Sequence, residues 1–135
     1  MKPPAQVLVV DDEPGTLRVL GAVLEDEGYA VETASSGRAA LERIEASPRD
    51  LVLLDFLMPQ LDGADTLRAI RRAPRGDGVR VVMMSGVAES IVKRRCGAGY
   101  DAFLRKPFGL DELLGAVKSA LKKDRARRSG NTRRR

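Results

Sequence analysis

The sequence predicts an α/β fold: a doubly wound, five-stranded parallel sheet in order 2-1-3-4-5, with helices on both faces. Two observations carry that expectation. Short apolar runs such as Val7-Leu8-Val9-Val10 and Leu51-Val52-Leu53-Leu54 are bounded by turn signals, which reads as strands buried on both sides. Stretches with helical spacing follow such runs five times along the chain. Right-handed crossovers then leave few topologies, and the doubly wound order is the natural one, with strands one and three adjacent at the switch point.

The elements follow in order. Strand one is Gln6-Val7-Leu8-Val9-Val10, running into Asp11-Asp12-Glu13. Pro14 suits the first turn of helix one, where Leu17, Leu20 and Leu24, with Val19 and Val23 beside them, keep helical spacing until Gly28 closes it. Strand two covers 29–33. Ser35 or Ser36 caps helix two, which turns Ala39, Ala40, Leu41 and Ile44 inward and is broken by Ser47-Pro48. Strand three, 51–54, delivers Asp55. Helix three follows Gly63 with Leu67 and Ile70 as its apolar face, and 74–78 is a loop. Strand four is 79–84 and ends at Ser85-Gly86. Helix four runs from about Ala88 to Cys96, with Gly97 and Gly99 as stop signals. Strand five, 101–104, leads to Lys106-Pro107-Phe108. Asp111 opens helix five, which reaches Leu121 with Leu110, Leu113, Leu114 and Val117 toward the core.

Composition narrows the possible functions. A chain of 135 residues suits one domain with a core of its own. The single cysteine, Cys96, excludes an intrachain disulfide and suggests a reducing compartment. The lack of histidine excludes His-based acid–base chemistry and His metal ligation. No apolar run approaches the ~20 residues of a membrane helix, and the N-terminus has no signal-peptide core, so the expectation is a cytoplasmic protein without a membrane span. The net charge of +5 is unevenly placed. Residues 122–135 hold eight basic side chains against one acidic, which leaves −2 for residues 1–121. The domain therefore ends at 121, and 122–135 reads as a basic, disordered tail. Its functional alternative is a weak electrostatic contact with nucleic acid, an anionic membrane or an acidic partner.

In a parallel sheet the carboxyl ends of all strands share one edge, where ligands bind. Strand one brings Asp11 and Asp12 there, strand three Asp55, strand four Ser85, and strand five Lys106. Each alone is an ordinary turn, cap or surface residue, and Phe103 alone is core. Together they make three carboxylates, a hydroxyl and an ammonium. Clustered carboxylates repel, and a hard divalent cation with oxygen ligands, Mg²⁺ above all, offsets them. Lys106 adds a charge suited to phosphate, and an Asp carboxylate can be a nucleophile that forms an acyl phosphate. Asp55 is the best candidate, because it stands alone at a strand end.

Five ordered blocks carry a family resemblance: 7–14; 50–55 with Met58-Pro59 and Asp62-Gly63; Met84-Ser85-Gly86; 99–104; and Lys106-Pro107-Phe108. From about Gln6 to Leu121 the chain resembles the receiver domain of bacterial two-component response regulators, of the chemotaxis-regulator kind with a flavodoxin-like (βα)5 fold. The resemblance implies that Asp55 accepts a phosphoryl group from a phosphohistidine on a sensor histidine kinase or histidine phosphotransfer protein. It also implies Asp12 as a direct ligand of Mg²⁺ (Mn²⁺ as substitute), Asp11 as a ligand largely through water, and the Leu57 backbone carbonyl as a further ligand. Lys106 would pair with the phosphoryl group and precede a cis peptide bond. Ser85 would swing to bond a phosphoryl oxygen while Phe103, the switch aromatic, moves inward. Helix four, strand five and helix five would then signal to a downstream protein target or output domain, or support a homodimer formed on phosphorylation. Such a domain catalyses its own phosphorylation and slow dephosphorylation without being a turnover enzyme.

There are departures. Ser85 stands where threonine is commoner, and Phe103 lacks a tyrosine hydroxyl. Leu57 occupies a position where some members carry a polar side chain, so slow loss of phosphate is expected. A phosphatase of the haloacid dehalogenase type needs a second Asp two residues after its nucleophile. Leu57 after Asp55 does not supply it, and Glu13 after Asp11 is a poor match. There is no room for a helix-turn-helix after Leu121, so no specific DNA binding is expected and signalling should go by protein contact. A receiver that never takes phosphate is disfavoured by the complete acidic set with Lys106.

Overall fold

The computed structural model describes residues 3–123. Its elements are β1 (Gln6–Val10), α1 (Pro14–Asp26), β2 (Ala30–Ala34), α2 (Gly37–Ala46), β3 (Leu51–Asp55), α3 (Gly63–Arg72), β4 (Arg80–Ser85), α4 (Glu89–Cys96), β5 (Ala102–Arg105) and α5 (Leu110–Leu121). The strands form one sheet in the order β2-β1-β3-β4-β5, as the sequence predicts. Every pairing is parallel. The basic tail expected over 122–135 lies, beyond Lys123, outside the described residues.

Local chemistry sets the helix ends. Pro14 is the first residue of α1, and Gly28, at φ +104°, takes the left-handed turn just past it. The Ser36 hydroxyl accepts the Ala39 N–H at 3.0 Å and caps α2. Asp62 caps α3 by accepting the Asp65 N–H at 2.9 Å. Gly97 follows α4 at φ +66°.

Alternation along the strands builds two cores. Leu8, Val10, Val52, Leu54, Val81 and Met83 face α2, α3 and α4, packing on Ala40, Ile44, Leu67, Ile70 and Val92. Val7, Val9, Leu51, Leu53, Val82, Met84 and Leu104 face α1 and α5, packing on Leu20, Leu24, Leu113 and Val117. Each such buried side chain contributes about 1.5–3 kcal/mol relative to exposure. That makes the central strands a rigid floor for whatever stands at their ends.

Three strands begin and end one residue later than the sequence suggested. The Tyr29 N–H still bonds Leu24 O of α1 at 3.1 Å, so β2 starts at Ala30. Asp101 is a buried bracket before β5: its N–H donates to Val81 O at 2.7 Å and its carboxylate accepts the Val81 N–H at 2.8 Å. Val79 is buried ahead of β4, with its carbonyl held by Arg71. Leu110 corrects the expectation of a core position. It is the first residue of α5, where the helix starts at the sheet edge, and is 55% exposed. Val19 on α1 likewise points outward.

Candidate functional site

β1, β3 and β4 end at one edge, and β5 carries the chain to Lys106 at the same edge. Asp11 is wholly buried just past β1. Its N–H donates to Ala34 O at 3.2 Å and its Oδ1 accepts the Glu13 N–H at 3.0 Å, which fixes the turn into α1. Asp12 beside it is exposed. Asp55 is the last residue of β3, 5% exposed. The next residue keeps the sheet's ladder going, since the Phe56 N–H donates to Met84 O at 2.8 Å.

These strand ends bring the acids together. One carboxylate oxygen each from Asp11, Asp12 and Asp55 lies within 4.8 Å of the others. The Lys106 ammonium donates to Asp11 Oδ2 at 3.0 Å and to Asp55 Oδ1 at 3.2 Å. Its backbone N–H donates to Ser85 O at 2.8 Å, so the lysine is tied to the end of β4, and the Lys106-Pro107 bond is cis. The Ser85 side chain is buried at that edge and accepts the Val87 N–H at 3.1 Å.

The electrostatics follow from the packing. Burial pushes the Asp55 carboxyl up to about 6, helped by the charges of Asp11 and Asp12, while Lys106 pulls the other way. Burial opposes the Lys106 charge, but the hydrogen bonds and charges of Asp11 and Asp55 outweigh it and raise the lysine overall. Three carboxylates with one ammonium hold a surplus of negative charge, and every carboxylate offers only oxygen. That donor set fits a hard divalent cation on Asp11, Asp12 and Asp55.

The loop after Asp55 turns back on itself. The Gly63 N–H donates to Phe56 O at 2.8 Å, and a Cβ on Gly63 would lie 2.6 Å from Phe56 Cα and 2.7 Å from Asp55 O. Only glycine allows that approach. Leu57, within the loop, exposes 58% of its surface.

Phe103 stands apart from the acids. It is half-buried on β5 opposite Met83, with its ring 6.4 Å from that of Tyr100. Two features were missed in the sequence. One is a groove of about 770 Å³ beside Lys106, lined by Thr16, Val19, Leu20, Pro107 and Phe108. The other is the Tyr100 hydroxyl, which donates to Glu89 Oε2 at 2.9 Å. Outward-facing apolar Val19 was the available signal for the first; nothing local in the sequence signalled the second.

Comparisons with known proteins point to one family and fold. Residues 7–118 match the family model for the response regulator receiver domain. Response regulator MprA of Mycolicibacterium vanbaalenii is 38% identical over 122 residues, covering 89% of this chain and 52% of that protein. The transcriptional regulatory protein KdpE of Mycobacterium tuberculosis is 39% identical over 124 residues, again 89% of this chain and 52% of the other. The chain thus spans about half the length of these curated relatives. Among solved structures, chemotaxis protein CheY4 of Vibrio cholerae superposes with a TM-score of 0.83 at 29% identity, covering 87% of this chain and 98% of that one. The response regulator TrrA of Thermotoga maritima, solved in complex with Mg²⁺ and BeF, gives 0.77 at 30% identity, covering 86% and 98%. Among the described residues no helix is long and apolar enough to cross a membrane.

Proposed function

The chain belongs to the response regulator receiver domain family of two-component signalling, and on that premise we propose that Asp55 is its phosphoacceptor. The single observation that supports this most strongly is the Lys106 ammonium set between Asp11 and Asp55, 3.0 and 3.2 Å from their oxygens. It orients one Asp55 oxygen and leaves the carboxylate's other oxygen to attack. The attack forms a P–O bond as the P–N bond of a donor phosphohistidine breaks. The electron pair leaves on the imidazole nitrogen. Lys106 then pairs with the negative phosphoryl oxygens, and the Ser85 hydroxyl turns from the Val87 N–H to donate to one of them.

Mg²⁺ held by Asp11, Asp12 and Asp55, with the Leu57 carbonyl, would supply neutralisation of the carboxylate and phosphoryl charge; Mn²⁺ could substitute. Asp11 is locked by its turn and Asp12 is open to solvent, which suits the one to a water-mediated role and the other to direct ligation. The donor is a sensor kinase or a histidine phosphotransfer protein. Its histidine has to reach a buried carboxylate, and the groove between α1 and 107–108 offers the adjoining apolar rest. Readout passes through α4, β5 and α5 to a protein target, to an output domain or to a second copy. Phe103 follows Ser85 in the switch. The domain catalyses its own phosphorylation and slow dephosphorylation, and it works stoichiometrically without turnover. In this reading the receiver is residues 1–121 and the basic segment 122–135 follows it, with Lys123 still bonded to Arg80 and Asp101.

Incubation with acetyl phosphate and Mg²⁺, followed by intact mass, tests the reading. One added phosphoryl group on the wild type, none on Asp55→Ala and none with a chelator is the expected result. Equal labelling of Asp55→Ala would overturn it.

A further inference from the structure

Phe103 has no hydroxyl, so the aromatic on β5 cannot itself hydrogen-bond to α4. Tyr100, three residues earlier, does. Its hydroxyl donates to Glu89 Oε2 at 2.9 Å, its ring lies 6.4 Å from that of Phe103 at a tilt of 47°, and Lys93 Nζ stands 6.0 Å from the ring centroid. Glu89 and Lys93 are both on α4, and Glu89 is its first residue. Tyr100 therefore joins the N-terminal end of α4 to the approach of β5.

α4 is lightly seated. Val92 is the one buried residue of its eight. Its C-terminal end is tied by Arg95 to Asp62 at 2.6 Å. Its N-terminal end follows the turn 86–88, which is held by Ser85 Oγ accepting the Val87 N–H and by Arg105 donating to Gly86 O at 3.0 Å. The hydroxyl that holds this turn is the one at the edge of the phosphoryl site.

We propose that the Tyr100–Glu89 hydrogen bond is a latch that holds the N-terminal end of α4, and that it opens when Ser85 turns its hydroxyl toward a phosphorylated Asp55. The proposal rests on the reading of Asp55 given above and names how that site reaches α4. When Ser85 Oγ leaves the Val87 N–H, that donor needs a new acceptor and the turn rearranges. Glu89 lies two residues on and moves with it. A hydrogen bond from a phenol to a carboxylate weakens steeply with displacement, so a small shift releases it. Movement of Phe103 removes the ring that Tyr100 packs against and acts in the same direction. The latch is a two-position element that the site biases, and its opening frees the Tyr100 phenol before β5 and the exposed Glu89 carboxylate on α4 for a new partner.

The chain has two tyrosines and no tryptophan, so Tyr29→Phe leaves Tyr100 as the dominant emitter. A hydrogen bond to a carboxylate quenches tyrosine emission. In the Tyr29→Phe protein, acetyl phosphate with Mg²⁺ should raise the emission toward that of the same protein carrying Glu89→Gln, in step with the added phosphoryl mass. Added Ser85→Ala, at whatever rate it takes up the phosphoryl group, should show no rise per phosphoryl group gained. Tyr100→Phe, which keeps the ring, should bind beryllofluoride with Mg²⁺ about fivefold tighter than wild type, because a restraint on the resting state is gone. Phosphorylation with unchanged emission overturns the latch and leaves Asp55 as acceptor, as does unchanged beryllofluoride affinity in Tyr100→Phe. No phosphoryl mass at all overturns the reading of Asp55 and the latch with it.

Discussion

Asp55 is a carboxylate kept where its charge is unfavourable. Its carboxyl is raised from 3.8 to about 6, first by burial and then by Asp11. A raised acid binds its proton more tightly in the folded state, so its contribution to stability is fully present below about pH 4 and is lost as pH rises through about 6. In chelator at pH 7, Asp55→Asn should therefore be more stable than wild type to urea by up to about 3 kcal/mol, the free energy of a shift of about two pH units. The gap should close by about pH 4. Mg²⁺ should stabilise the wild type and leave the variant nearly unmoved. Equal stability of the two proteins at pH 7 in chelator would contradict the burial argument. Leu57 concerns the other end of the cycle. Its apolar side chain cannot hold a water near the acyl phosphate, so radiolabelled phospho-Asp55 in Mg²⁺ should persist well beyond seconds. Leu57→Asn should shorten its life. At this scale Asp11 and Asp55 were legible because each directly follows an apolar run, and Lys106 because it comes just beyond one. Tyr100 and Glu89 were not, because their contact spans 11 residues and depends on where α4 lies against β5.

Elements were legible where a residue type marks their ends. Pro14, Gly28 and Ser36 set helix limits that their chemistry announces, while the cap of α3 by Asp62 was not singled out. Strand starts slipped by a residue because Asp101 uses its carboxylate as a substitute for strand pairing, and Arg71 bonds the Val79 carbonyl. Periodicity also placed Leu110 inward, since spacing cannot say where a helix overhangs the sheet. Two predictions belong here. Gly63→Ala would put a methyl into the backbone of Asp55 and Phe56, which cannot yield as a side chain can. It should cost about 1–3 kcal/mol in urea unfolding and slow phosphorylation. Arg71 donates to the carbonyls of Gly76, Val79 and Gly99 and joins α3 to the entrances of β4 and β5. Arg71→Ala should cost about 2–3 kcal/mol by leaving half-buried carbonyls without their charged donor, and Arg71→Lys should recover little of it because an ammonium lacks the guanidinium fork. Full recovery by lysine would show that charge alone, and not the fork, holds that corner.

At the scale of the whole molecule, one topological fact produces the site. Residues 11, 55, 85 and 106 are far apart in the chain and meet because four parallel strands end at one edge. The number of strands and that edge could be read from the apolar runs; the order was the natural choice among those that right-handed crossovers allow, because periodicity alone does not establish it. The distribution of helices over the two faces, with α1 and α5 against α2, α3 and α4, is a consequence of that order and sets which surfaces lie beside the site. The same edge joins the buried Asp55 carboxylate, the lysine that bonds it and a serine that holds the turn into α4. A local change of charge there has a route to the surface. The central claim is that Asp55 carries the phosphoryl group. Borohydride reduction of the phosphorylated protein, which converts an aspartyl phosphate to homoserine, tests it most directly through peptide mapping. Homoserine at position 55 alone, and none in protein kept from Mg²⁺, is the result expected. Homoserine at position 11 or 12, or none at 55 in protein that has gained the phosphoryl mass, would contradict it.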